Sequence, residues 1–180
     1  MKAILPALGV VTATEPAQYL LTPFQDGTKV LTAFLEGVLQ RKPKRFRSMT
    51  YGTTLQPFFQ HLVDFVTADI DSKNIYDHTQ AMGKAEKAQL EWLVSRGYKD
   101  IERFLLGTTP LHRQINHLKA MWDSDGYLFH GSWNYSASAD QQYNVIEVTH
   151  SPEIVALYDQ AFDFAWDWIL KNEPQYQTIK

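Results

Sequence analysis

The spacing of apolar residues along this chain switches between a helical period of roughly 3.6 and a strand period of 2, and the switches divide it into alternating elements. Residues 19–24 (YLLTPF) read as a first short strand. Asp26-Gly27-Thr28 then opens a helix to about Gln40, with Val30, Leu31, Phe34, Leu35 and Val38 on one face. A strand is predicted over 45–51, and Gly52-Thr53-Thr54 leads into a second helix through about Ala68, whose Leu55, Phe58, Phe59, Leu62, Val63 and Val66 form one broad core stripe. Residues 72–80 read as a strand, 83–96 as a helix stopped by Gly97, and 100–106 as a further strand. After residues 135–140, which suit one helical turn, 143–149 (YNVIEVT) form a strand. Ser151-Pro152-Glu153 starts a last helix with an N-cap, a proline at the first position and an acid in the first turn, running to about Leu170. Strands alternating with helices predict an α/β fold, a mixed β-sheet flanked by helices.

Between these elements lies residues 116–134, NHLKAMWDSDGYLFHGSWN, which reads as a β-hairpin. Asp125-Gly126 suits a two-residue type I′ turn, because both central residues need φ > 0. That turn pairs Ser124 with Tyr127, Lys119 with Ser132 and His117 with Asn134. Side chains alternate along a strand, so His117, Lys119, Ser132 and Asn134 are expected on one face, with His130 joining them as a secondary candidate. An imidazole, an ammonium, a hydroxyl and a carboxamide together suit a phosphate: the cation and neutral donors hold the oxygens while a basic nitrogen attacks phosphorus.

At these residues the sequence resembles the phospholipase D superfamily. Its signature is His-x-Lys, an Asp after four intervening residues, six more residues, then Gly-Ser-x-Asn. His117-Leu118-Lys119 and Gly131-Ser132-Trp133-Asn134 match in type and spacing, and Ser124 stands where the Asp would fall, between Asp123 and Asp125. An isolated His-x-Lys is common and decorates many exposed hairpins, but its fixed spacing to Gly-Ser-x-Asn is much less so. The resemblance implies a phospholipase D-like half, one per chain, and a reaction in which one histidine attacks phosphorus while a second protonates the leaving oxygen. It implies no cofactor and no metal. With a single motif per chain, the second histidine would come from a C2 homodimer. Gln142 and Asn144 follow the motif where relatives often carry polar groups that brace the histidine. Short single-motif relatives resemble endonucleases, so cleavage of DNA or RNA is the expected activity. Phospholipid hydrolysis and a nucleic-acid-binding module without turnover are the alternatives.

Composition narrows the partners. Of 180 residues, 44% are hydrophobic and 13% aromatic, which indicates a folded chain, expected as one domain with residues 1–16 as an N-terminal extension. Net charge is −3, so a polyanion must be held by a local patch. The segment 41–47 (RKPKRFR) offers one, and Lys44, Arg45 and Arg47 are candidate phosphate contacts; the same pattern also suits a solvated connection between helix and strand. Trp122, Trp133 and Tyr135 either stack on bases or pack the sheet. There are no cysteines, which excludes disulfides and a thiol nucleophile. His61, His78, His112, His130 and His150 form no metal-ligand spacing. No apolar run reaches the roughly 20 residues that span a bilayer. Residues 1–13 resemble a secretory leader only faintly, interrupted by Pro6, so a cytoplasmic chain is expected, with export left open.

Overall fold

Amphipathic helices and alternating strands assemble as their periodicity demands in a computed structural model that describes residues 16–110 and 113–177. In chain order the elements are β1 (Gln18–Thr22), α1 (Gly27–Arg41), β2 (Arg45–Thr50), α2 (Gln56–Thr67), β3 (Asp71–Asp77), α3 (His78–Ala81), α4 (Lys84–Ser95), β4 (Phe104–Gly107), β5 (Lys119–Asp123), β6 (Tyr127–Gly131), a 3-10 turn (Ala137–Gln141), β7 (Asn144–His150), α5 (Pro152–Asn172) and a second 3-10 turn (Pro174–Tyr176). The strands form one mixed sheet in the order β1-β7-β6-β5-β2-β3-β4, with β2, β3 and β4 parallel and the remaining pairs antiparallel.

Each face of the sheet has its own core. Leu31, Phe34, Leu35 and Val38 of α1, Phe58, Phe59, Leu62 and Phe65 of α2, and Leu90 and Leu93 of α4 pack on one side against Phe46, Tyr76, Met121 and Phe129. On the other, Val155, Phe162, Ala165, Trp166 and Ile169 of α5 cover Ile75, Leu105, Ala120, Trp122 and Leu128. Burying each Val, Leu, Ile, Phe or Met side chain among them stabilises by about 1.5–3 kcal/mol relative to leaving it exposed. The helix ends are fixed locally. Asp26 caps α1 by accepting the Lys29 N–H at 3.0 Å, and Ser151 caps α5 by accepting the Ile154 N–H at 3.4 Å, with Pro152 in the first turn.

Two boundaries depart from the pattern of the sequence. The strand expected over 72–80 ends at Asp77, because the Asp77 carboxylate accepts the N–H groups of Thr79 and Gln80 and caps α3 there. The strand expected over 100–106 is confined to β4, since residues 101–103 form turns with Ile101 at φ 64°.

The two sheet edges are treated differently. β4 is covered: Gln177 accepts from the Leu106 N–H at 3.0 Å and donates to the Leu106 carbonyl at 2.7 Å, while buried Glu173 accepts from the Thr108 N–H at 2.8 Å. β1 pairs only with β7 among the described residues, and Tyr19, Leu21, Phe24, Tyr143 and Val145 lie exposed along that edge.

Candidate functional site

The hairpin that carries the motif is built one residue out of the expected register. Ala120 faces His130, Met121 faces Phe129 and Trp122 faces Leu128, so the turn is the three-residue loop Ser124-Asp125-Gly126. Asp123 causes the shift. Its fully buried carboxylate accepts the N–H groups of Asp125 (2.9 Å) and Tyr127 (3.2 Å), and its carbonyl accepts the Gly126 N–H, with Gly126 at φ 96°. The other carboxylate oxygen pairs with Arg41 Nη2 of α1 at 2.7 Å, and the Arg41 guanidinium also lies over the Tyr127 ring. Asp123 thus bonds to turn and helix alike, next to the Ser124 position of the signature.

A one-residue slip turns every side chain of a strand to the other face. His130 accordingly points away from His117 and Lys119, toward α5, with Tyr158 Oη 3.3 Å from its Nδ1 and Glu147 3.4 Å from its Nε2. The structure therefore does not bring it together with them. Ser132 and Asn134 lie beyond the end of β6 instead of opposite Lys119 and His117 in the ladder. Gly131 makes that exit: its φ is 149°, and a Cβ there would sit 2.2 Å from the Val145 carbonyl oxygen, so only glycine fits the close passage to β7. Ser132 then donates to Asn144 Oδ1 at 3.2 Å and accepts the Val145 N–H at 3.0 Å, while Asn144 also donates to the Ala139 carbonyl. Gln142 is exposed, and its carbonyl accepts from Thr22.

His117 and Lys119 meet at Tyr51, the residue that follows β2. The His117 imidazole is exposed and approaches the Tyr51 ring edge-on at 4.7 Å. The Lys119 ammonium lies over the same ring at 4.8 Å and donates to the His117 carbonyl at 2.8 Å. Lys119 as a residue is only 4% exposed, and desolvation lowers its pKa to about 8, against the opposing charge of Asp77. The residues just beyond Tyr51 reach the other half of the motif: Tyr135 N–H donates to the Gly52 carbonyl at 3.0 Å, the Tyr135 carbonyl accepts from Thr54 and Leu55, and the Asn134 side chain packs beside Gly52. Residues 51–55 therefore form a strap from His117 and Lys119 to Asn134.

Two buried acids hold the strap and its neighbour. Asp77 accepts the Asn116 N–H at 2.7 Å, and Glu86 of α4 accepts the Thr53 N–H at 2.9 Å. Burial raises the Glu86 pKa to about 8, opposed by the Thr53 hydrogen bond and assisted by Asp77. Gln80 donates to Tyr51 Oη at 3.0 Å. Tyr51, Asp77 and Glu86 carry no sequence motif. Asp77 falls inside the strand expected over 72–80 and Glu86 inside the helix expected over 83–96, where neither stands out.

The basic segment lies elsewhere. Arg45 pairs with Asp159, and Arg47, nearly buried, donates to the Asp71 carboxylate at 2.7 Å and to the Asp71 carbonyl. Both arginines, with exposed Lys44, sit toward the end of β2 remote from Tyr51, about 13–23 Å along the strand at roughly 3.3 Å per residue. Acid partners neutralise the arginines, so the structure does not join this patch to the site. Trp122, Trp133 and Tyr135 are fully buried and pack the sheet, which removes them as stacking platforms for bases. His112 lies outside the described residues, as does nearly all of the 1–16 segment. Among the described residues no group of three or more His, Cys, Asp or Glu side chains is placed to hold a metal ion, and no helix is long and apolar enough to cross a membrane.

No protein-family model matches the chain, and no curated protein matches its sequence. Solved structures do. Nuc from Salmonella typhimurium, a phospholipase D family member, superimposes with a TM-score of 0.69 at 17% identity, over 84% of this chain and 94% of Nuc. NucT from Helicobacter pylori gives a TM-score of 0.65 at 17% identity, over 84% of this chain and 96% of NucT. Polyphosphate kinase from Porphyromonas gingivalis gives 0.65 at 11% identity, over 83% of this chain but only 26% of the kinase.

Proposed function

Since the fold is that of the phospholipase D superfamily, we propose that this chain is a metal-independent phosphodiesterase that cleaves nucleic acid as a homodimer. One observation carries the reading: an exposed imidazole and a buried ammonium, His117 and Lys119, share the Tyr51 ring at the end of the sheet where the 131–136 segment also emerges. Nuc and NucT are matched over 94% and 96% of their own lengths, so this fold stands there as nearly the whole of a chain.

In the proposed reaction, His117 of one copy attacks phosphorus, the bond from phosphorus to the leaving oxygen breaks, and the partner subunit's His117, as imidazolium, gives that oxygen its proton. Water then attacks the phosphohistidine, the P–N bond breaks, and the partner subunit's His117 takes the proton of the water. Lys119 from each copy neutralises the non-bridging oxygens, and Asn134 donates to them as charge grows. Ser132 acts at one remove, since its hydroxyl is committed to Asn144 and the Val145 N–H.

The test is cleavage of single-stranded DNA, double-stranded DNA, RNA and labelled phospholipid in EDTA. Nucleic-acid cleavage that resists the chelator and falls at least about a thousandfold in His117→Ala is expected. Cleavage abolished by EDTA or retained in His117→Ala contradicts the mechanism, and tight binding without cleavage makes the chain a binding module. Mixing adds a check on the shared site: excess His117→Ala should lower the activity of a fixed amount of wild type, because each mixed dimer holds one imidazole.

A further inference from the structure

Glu86 is a buried acid that the proposed reaction does not use, at a place where burying an acid is costly. It belongs to the first turn of α4 and is 3% exposed. Oε2 accepts the Thr53 N–H at 2.9 Å, and Oε1 is buried without a hydrogen-bond partner. Three other polar atoms are buried in the same state beside the motif: Thr53 Oγ1, Asn116 Nδ2 and Asn134 Oδ1. A core built only for stability would have filled this volume with apolar groups, since an unpaired buried polar atom costs about 1–3 kcal/mol. Such groups are retained where they hold something in place.

The strap shows what is held. Thr53 lies between Tyr51, whose ring meets both His117 and Lys119, and the Gly52–Leu55 backbone that receives and gives the hydrogen bonds of Tyr135. Of the side chains that bond to the strap, Glu86 grips its middle and Gln80 grips the Tyr51 hydroxyl. We infer that Glu86 is a positioning residue for the proposed phosphodiester cleavage: its carboxyl fastens α4 to Thr53, and through that strap sets His117 and Lys119 in register with Asn134. The inference rests on the phosphodiesterase reading.

The protonation state belongs to the mechanism. Burial raises the Glu86 pKa to about 8, so at neutral pH the carboxyl is uncharged and accepts from Thr53 through Oε2. Ionisation above that value places a negative charge beside Asp77, whose carboxylate holds the Asn116 N–H, and sets the two anchors against each other. Lys119 titrates in the same range, so the alkaline fall of wild-type activity contains both groups.

The experiment compares the full-length chain with Glu86→Gln and Glu86→Ala, reading kcat and KM on single-stranded DNA from pH 6 to about 10 and amide hydrogen exchange at pH 7. Glutamine keeps an uncharged acceptor for Thr53, so Glu86→Gln should hold kcat within about threefold at pH 7 and show a shallower alkaline fall. Glu86→Ala should lower kcat about 10–100-fold with KM little changed, the scale of a small misalignment. Its exchange should rise at the amides of Thr54, Leu55 and Tyr135 while Met121 and Phe129 stay protected. An active wild type beside an equally active Glu86→Ala overturns the role of Glu86 and leaves the phosphodiesterase intact, and a Glu86→Gln with the wild-type alkaline fall assigns that fall to Lys119. A wild type that cleaves no nucleic acid overturns both. Should Glu86→Ala fail to fold, Glu86→Met, which fills the same volume without an acceptor for the Thr53 N–H, is read in its place for kcat and for exchange at Thr54, Leu55 and Tyr135.

Discussion

Lys119 shows a functional demand opposing stability within one side chain. Desolvation holds its pKa near 8, below its ordinary 10.5. At pH below 8 the ammonium is charged in both folded and unfolded chains, and the folded state carries the cost of burying it. Between 8 and 10.5 the folded chain has released a proton that the unfolded chain keeps, so stability rises with pH across that window. Lys119→Met should therefore melt above wild type at pH 7, by about 1 kcal/mol once solvent access to the amine is allowed for, and the difference should vanish near pH 10.5. Nucleic-acid cleavage should fall at least about a hundredfold in the same variant. A Lys119→Met that melts well below wild type at pH 7 contradicts this account. The motif residues were legible because chemistry fixed their types and spacing. Tyr51 was not, since an aromatic after a strand reads like any other, and only the folded sheet shows that it touches two motif side chains at once.

At the scale of elements, the long helices are legible in the sequence, whereas the four-residue α3 and the register of the hairpin are not. The apolar stripes of α1, α2 and α5 fall where the period places them, and α1 and α5 start at the caps the sequence shows. The hairpin hinged on whether two residues or three make the turn, which Asp125-Gly126 alone does not decide. A buried carboxylate at Asp123, reaching an arginine 82 positions earlier, does decide it. That long-range pair has no local signal, and its consequence, His130 on the far face, follows by parity. Asp123→Ala should cost about 3 kcal/mol in denaturant unfolding, since it leaves the Arg41 cation without its anion and opens two turn hydrogen bonds. Arg41→Ala with Asp123→Ala should cost less than the sum of the two single changes. Additive effects, or a loss under about 1 kcal/mol for Asp123→Ala, contradict the clamp.

For the whole molecule, the alternation of strands and helices was enough to predict a mixed sheet with helices on both faces. Strand order was not legible, because it depends on which elements cross over, and neither was the partnering of Arg45 and Arg47 with acids from β3 and α5. Charge counted along the sequence suggested a phosphate track; charge placed in space leaves Lys44 beside two neutralised arginines. In the proposed reaction the phosphate contacts then fall to the motif side chains and to the second copy the proposal invokes, in keeping with a net charge of −3.

The margin of β1, which no described residue pairs with on its outer side, has a consequence for how the protein behaves in the tube. Gln18–Thr22 contains neither lysine nor proline, the residues that ordinarily keep an outer strand from annealing to a neighbour, and Leu21 and Val145 stand side by side in the open. Close to the isoelectric point, near 6.0, little colloidal repulsion opposes such contact. Turbidity on concentration should therefore peak around pH 6, and Leu21→Lys should suppress it while leaving the melting temperature within a few degrees of wild type. Haze of equal strength in Leu21→Lys would trace the clumping to another surface.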